Sequence, residues 1–113
     1  VQVNLGEEDT KSGLDPSKVL PALQETASLS SLSIRGLMSI PPFFSDPEEV
    51  RPFFKQLRQL AQEIAGRKIP GVSLQELSMG MSHDFEVAVE EGATMIRVGT
   101  AIFGSRASKG YPR

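Results

Sequence analysis

Apolar and polar residues alternate from the first position. Val1, Val3 and Leu5 share one side and Gln2 and Asn4 the other, which is the period-two signature of a strand. The polar, glycine-bracketed residues 6–13 then read as a loop. Asp15-Pro16 is a helix-start signal, with Asp as N-cap and Pro in the first helical position, and Val19, Leu20, Leu23 and Ala27 continue a helical stripe. Pro21 falls inside that stripe and moves the expected start towards residue 19. Residues 32–40 read as a second strand, stopped by Pro41-Pro42 because proline has no N–H for a ladder. Asp46-Pro47-Glu48-Glu49 opens a long helix whose apolar positions Val50, Phe53, Phe54, Leu57, Leu60, Ala61 and Ile64 follow the 3.6-residue period, with Gly66 expected at C′. Residues 75–79 read as a third strand, 83–92 as a short helix ended by Gly92, 95–99 as a fourth strand and 100–103 as the first turn of another helix.

The pattern is therefore β-α-β-α-β-α-β-α, and alternation at this spacing predicts parallel strands joined by right-handed crossovers. Four βα units are half of a (β/α)8 barrel of the TIM type, and a small open sheet of the flavodoxin kind is the other arrangement compatible with them. The expected fold class is α/β, a parallel half-barrel over residues 1–106, followed by a loose tail at 107–113. A chain that opens inside an alternating strand, without Met, reads as a piece of something longer. A half-barrel leaves two strand edges and an apolar inner face uncovered, so a homodimer, an exchange of elements or pairing with other parts of the barrel is expected.

Composition narrows the function classes. The 113 residues are one domain's worth of chain, 39% hydrophobic and 23% charged, which is ordinary for a globular protein. The net charge of −2 gives no electrostatic footprint for nucleic acid. Cysteine is absent, which removes disulfides, thiolate metal sites and Cys nucleophiles together. No apolar run reaches the ~20 residues that span a bilayer, and no signal peptide opens the chain, so a cytoplasmic location is expected.

In a parallel α/β fold the chemistry lies at the carboxyl ends of the strands. The most informative segment is Arg97-Val98-Gly99-Thr100-Ala101-Ile102-Phe103-Gly104, which runs from a strand into a helical turn. Glycine there lets a ligand approach the backbone, and unpaired N–H groups at the helix start favour an anion. A plain strand-to-helix turn needing φ > 0 explains the same glycine. Ser78-Met79-Gly80-Met81-Ser82 is the second candidate: its hydroxyls can donate to the same phosphate, or Ser82 simply caps the next helix while the methionines fill the barrel interior. Met38, at the end of the second strand, packs either against a flat ring or in the core. His83, the single histidine, has no second His for a metal and no nucleophile at a telling spacing, and reads as non-catalytic. Lys11 reads as a solvated loop lysine within reach of the same face. Glu48, Glu49, Arg51, Lys55 and Arg58 read as a solvated helix face.

These motifs carry a resemblance. Leu77-Ser78-Met79-Gly80-Met81-Ser82-His83-Asp84, Gly92-Ala93-Thr94 and the segment from Arg97 to Gly104 resemble the pyridoxal phosphate homeostasis proteins (the YggS/PROSC group). Val1-Gln2-Val3-Asn4-Leu5, Lys11-Ser12-Gly13 and Arg35-Gly36-Leu37-Met38 fall in that family's order, so the resemblance runs from residue 1 to about 106. It implies a barrel like the N-terminal domain of alanine racemase that binds pyridoxal 5′-phosphate (PLP) without catalytic turnover and buffers or delivers it. By the same resemblance Ser82, Gly99 and Thr100 match phosphate-binding positions, which sulfate or inorganic phosphate would also occupy. Ser78 and Met79 fall on the adjoining wall. Arg97 matches the arginine that faces the pyridine nitrogen in alanine racemases, which keeps that nitrogen unprotonated and the ring a weaker electron sink. The family's Schiff-base lysine lies in a segment upstream of this sequence, and Lys11, Lys18, Lys55, Lys68 and Lys109 are outside its motif. The resemblance thus implies that residues 1–106 are the C-terminal half of the barrel, carrying the phosphate half of a PLP site and pairing with a missing N-terminal half-barrel; a racemase-type enzyme, or a non-catalytic assembly piece, are the competing implications.

Overall fold

The structure is a computed structural model that describes residues 1–6 and 12–105. The Lys11 loop and the tail from residue 106, including Lys109, lie outside the described residues. The elements run in chain order as α1 (Pro16–Thr26), β1 (Ile34–Met38), a 3₁₀ turn (Pro47–Glu49), α2 (Arg51–Ala65), β2 (Val72–Met81), α3 (Phe85–Glu90), β3 (Met95–Arg97) and α4 (Thr100–Phe103).

The three strands form one parallel sheet in the order β1-β2-β3, with Leu37 opposite Leu77, Met38 opposite Ser78 and Met81 opposite Arg97. The expected first strand is reduced to two parallel bridges, Gln2 to Met38 and Val3 to Leu14. Residues 1–4 still run along the free edge of β1, since Val3 N–H donates to Met38 O and Met38 N–H to Val1 O. The order expected from sequence is therefore kept, while the ladder is too short to make a full strand. The third strand is longer than its alternation suggests, starting at Val72, which pairs with Ile34. The fourth is shorter, because the chain turns after Arg97.

Period two explains the layering. Leu77 and Met79 on β2 and Leu37 on β1 are buried with Phe54, Leu57, Ala61 and Ile64 of α2 and with Val87 and Ala88 of α3, forming a single core between sheet and helices. Gly36 makes the β1–β2 approach possible: a Cβ there would stand 2.1 Å from the Glu76 carbonyl oxygen.

Two helix boundaries differ from expectation. α1 starts at Pro16, not residue 19, because the Asp15 carboxylate accepts the Ser17 N–H at 3.0 Å and fixes the start. Pro21 lies within the helix on its exposed face. Gly66 ends α2 with an ordinary helical φ of −66°, and the left-handed residue is Lys68 at φ 53°. Of the residues expected on a solvated face, Glu48, Glu49 and Lys55 are exposed, whereas Arg51 and Arg58 are partly buried. Arg51 reaches Glu48, Glu90 and Glu91 at 2.6–2.9 Å, and Arg58 reaches Glu91 at 3.0 Å, so these arginines clasp α2 to the end of α3. No described helix is long and apolar enough to cross a membrane.

Candidate functional site

A cavity of about 380 Å³ opens at the carboxyl ends of the three strands. Residues 40–43 after β1 form one wall, residues 80–84 at the end of β2 and just beyond it the floor, and Arg97 at the end of β3 with Gly99 and Thr100 the opposite wall.

Ser82 organises the floor. It does not cap its own helix: the residue at the N-cap of α3 is Asp84, whose Oδ1 accepts the Met81 N–H at 2.8 Å. Ser82 Oγ instead accepts the backbone N–H groups of Gly99 and Ala101, both at 2.9 Å. Two amides of the β3–α4 turn thus converge on a single oxygen, and the Ser82 O–H is left to donate outward. The Thr100 N–H, at the start of α4, has no intrahelical acceptor. α4 has four residues, so the donors here are turn amides rather than a helix dipole.

Gly99 settles one ambiguity of the sequence. Its φ is −117°, so the turn does not need glycine for a positive φ. A Cβ built on it would meet nothing within 4 Å. Neither backbone strain nor protein packing demands glycine there; its missing side chain leaves open space. Gly80 is the opposite case, with φ +107° and a Cβ that would come 2.7 Å from that of Ala88. The irregularity in β2 between Ser78 and Met81 accompanies it and presents Met81 to the cavity.

Arg97, at the end of β3, lines the same cavity. Its Nη1 donates to Ser78 Oγ and its Nη2 to the Ser39 carbonyl at 2.9 Å. Both partners are neutral, and burial holds the guanidinium below its ordinary pKa, opposed by the charge of Asp84. Its Nε and the Ser39 hydroxyl are buried with no hydrogen-bond partner among the described residues. An arginine with neutral partners and a spare buried donor is a group prepared to meet an acceptor.

The structure therefore brings Ser82, Arg97, Gly99 and Thr100 of the expected site to one cavity. Ser78 touches Arg97 but lines, with Met38, Glu76 and Met95, a neighbouring concavity of about 270 Å³. Met79 is fully buried in the helix-side core and does not reach the cavity. Adjacent residues of a strand point to opposite faces, so Ser78 and Met79 cannot share a wall, and Met79 does not fill the sheet's open side. Sequence reasoning passed over Phe43, whose only signal was an apolar residue in a loop, and it quoted Met81 and Asp84 within their motif without assigning either to the site. The lining is compatible with a phosphate-bearing aromatic cofactor: the Ser82 hydroxyl and the Thr100 amide on one side, with the Gly99 and Ala101 amides held by Ser82, an apolar Ile40-Pro41-Pro42-Phe43 wall on the other, and the Arg97 guanidinium beside them.

A parallel sheet covered by helices, with a cavity at the carboxyl ends of its strands, defines an α/β domain of the kind that binds ligands at that face. More particularly, the chain belongs to the family of the alanine racemase N-terminal domain, whose family model matches residues 1–107. It is similar to the pyridoxal phosphate homeostasis protein of Aquifex aeolicus, 48% identical over 106 residues that cover 94% of this chain and 46% of the relative. The protein of the same name from Escherichia coli is 42% identical over 106 residues, 94% of this chain and 44% of its own. PipY of Synechococcus elongatus, solved without PLP, superposes with a TM-score of 0.82 at 43% identity, covering 92% of this chain and 48% of that one. PipY with PLP bound gives a TM-score of 0.77 at 40% identity, covering 90% and 47%. The chain spans about half the length of the relatives it matches.

Proposed function

We infer that this chain supplies the phosphate-binding half of a PLP site in a protein of vitamin B6 homeostasis, one that holds and hands on the cofactor rather than turning over a substrate. The observation that carries the reading is the pair of turn amides gathered on Ser82 Oγ beside a glycine whose missing side chain leaves open space. Ser82, Gly99 and Thr100 bind the phosphate. Arg97 donates to the ring and, being a permanent cation, gives no proton to a ring nitrogen. Bound PLP would supply its aldehyde and electron-withdrawing ring; the residues here bind and orient it. PLP bound in PipY and the names of the relatives support this assignment.

Residues 1–106 form half of a barrel in this reading. Met95, Ile96, Ile102 and Phe103 leave apolar surface exposed along the β3 side, which the remaining half-barrel or a second copy covers. The competing racemase reading needs a cofactor-bearing lysine and a base from a second domain. Among the described residues Lys18, Lys55 and Lys68 are exposed and none of them lines the cavity.

Titration with inorganic phosphate, followed through backbone amide shifts, tests the assignment. The Ser82, Gly99, Thr100 and Ala101 amides should move together; response of a distant cluster instead would overturn it. Borohydride reduction in the presence of PLP should label the lysines of this chain only in scattered traces. A single stoichiometric pyridoxyl-lysine would revive the enzyme reading.

A further inference from the structure

The polar side chains of the turn between β2 and α3 engage three different parts of the molecule. Ser82 binds the β3–α4 turn and Asp84 its own turn, as described above. His83 reaches across the cavity mouth: its Nε2–H donates to the carbonyl oxygen of Phe44 at 2.7 Å, and its ring lies 4.8 Å from that of Phe43. A carbonyl only accepts, so this contact selects the Nε2–H tautomer.

The segment it holds has little else to fix it. Pro41 and Pro42 have no N–H, and among the described residues the His83 contact is the only hydrogen bond made by the backbone of residues 40–45. The remaining ties are apolar, chiefly the Phe44 ring stacked 5.8 Å from Phe53. Yet this segment forms the whole apolar wall of the cavity opposite the Ser82–Gly99 turn.

We propose that His83 is a positioning residue: by clamping Phe44 it sets the gap between the Pro41–Phe43 wall and the Ser82–Gly99 turn, and so determines how well the ring of a phosphorylated aromatic ligand is gripped. The proposal rests on the phosphate assignment above. It separates the ring from the phosphate, because the clamp touches the wall and not the amides.

Three variants of the protein test it: His83→Ala, His83→Phe, which keeps a ring without the donor, and His83→Gln, which keeps a donor without the ring. The probes are inorganic phosphate and pyridoxine 5′-phosphate, which has ring and phosphate but no aldehyde to react with lysines. His83→Ala and His83→Phe should bind pyridoxine 5′-phosphate roughly three- to tenfold more weakly, the worth of one hydrogen bond, with inorganic phosphate changed by less than about twofold. His83→Gln should recover most of the loss. Equal losses for both ligands, or none for either, overturn the proposal. So does an Nδ1–H tautomer in the nitrogen spectrum of the single histidine, a measurement that needs no ligand. If the unmodified protein binds neither probe at the Ser82–Gly99 turn, the functional reading falls as well; if it binds both and His83→Ala is indifferent, only the clamp is lost.

Discussion

Arg51 and Arg97 are both half-buried arginines with hydrogen-bonded guanidinium groups, and the structure treats them in opposite ways. Arg51, on the helix side, meets carboxylates of Glu48, Glu90 and Glu91, which raise its pKa further above an already high value. Arg97, at the sheet's carboxyl end, meets a hydroxyl and a carbonyl, has one donor idle, and is held below its ordinary pKa by burial. A cation answered by carboxylates belongs to the architecture: it closes α2 onto α3 and has nothing left to give. A cation kept among neutral acceptors retains capacity for a partner that the chain itself does not supply. Proximity to a strand end would not separate them; the inventory of acceptors does.

The sharpest way to break this contrast is Arg97→Met, which keeps the apolar stem and removes the charge. Affinity for pyridoxine 5′-phosphate should fall roughly 10- to 100-fold, the worth of a charge-assisted hydrogen bond, while inorganic phosphate is retained. Stability should change by no more than about 1 kcal/mol, since relief of the desolvated charge offsets the stranded Ser39 carbonyl. Calorimetric titration paired with thermal unfolding checks both halves. A large loss of stability with ring affinity unchanged would make Arg97 a structural arginine like Arg51.

Gly99→Val probes the same end of the sheet through the phosphate rather than the ring. The added side chain meets no protein atom within 4 Å at Cβ, so the melting temperature should hold within a few degrees. Phosphate affinity should drop about tenfold or more if the open space is where the anion sits. Unchanged phosphate binding would show that the space serves nothing and would return Gly99 to an ordinary turn.

Much of this molecule was legible from periodicity. The stripe from Val50 to Ile64 predicts the buried face of α2, and Phe54, Leu57, Ala61 and Ile64 are its buried residues. Strand order followed from alternation alone. Side-chain destinations were harder, for identifiable reasons. A serine before a helix is equally suited to capping that helix or accepting amides from a neighbouring turn, and only the fold brings Gly99 and Ala101 to Ser82. Met79 was placed by motif when the period of its strand already assigned it to the face opposite Ser78. The clasp between Arg51 and Glu91 spans 40 residues and leaves no local signature, whereas the Arg51–Glu48 pair, three residues apart on one face, does.

The smallest effect expected is on the other arm of the comparison, and it is read in stability alone. Glu91 is buried, and its carboxylate accepts from Arg51 at 2.6 Å and from Arg58 at 3.0 Å, so hydrogen bonding to Arg51 first, then the charges around it, holds its pKa below the usual carboxylate value. Glu48 is lowered for the same first reason, its hydrogen bond to Arg51. A carboxyl with a depressed folded pKa contributes stability that is fully present above its unfolded pKa, about 4.3 for Glu, and is lost as pH falls through the folded value. The melting temperature should therefore be flat in this respect from neutrality down to about pH 5 and decline below it. Glu91→Gln should lower the plateau and flatten the acid decline, because the variant has no proton to take up at that position. Phosphate and pyridoxine 5′-phosphate affinities at pH 7 should be untouched, since the clasp lies on the helix side of the sheet. Melting curves from pH 7 to 3 for both proteins decide the matter. A Glu91→Gln curve parallel to that of the unmodified protein would place the acid sensitivity on other carboxylates, and a loss of ligand affinity would show that the two arginine sites are not the independent regions their partners make them.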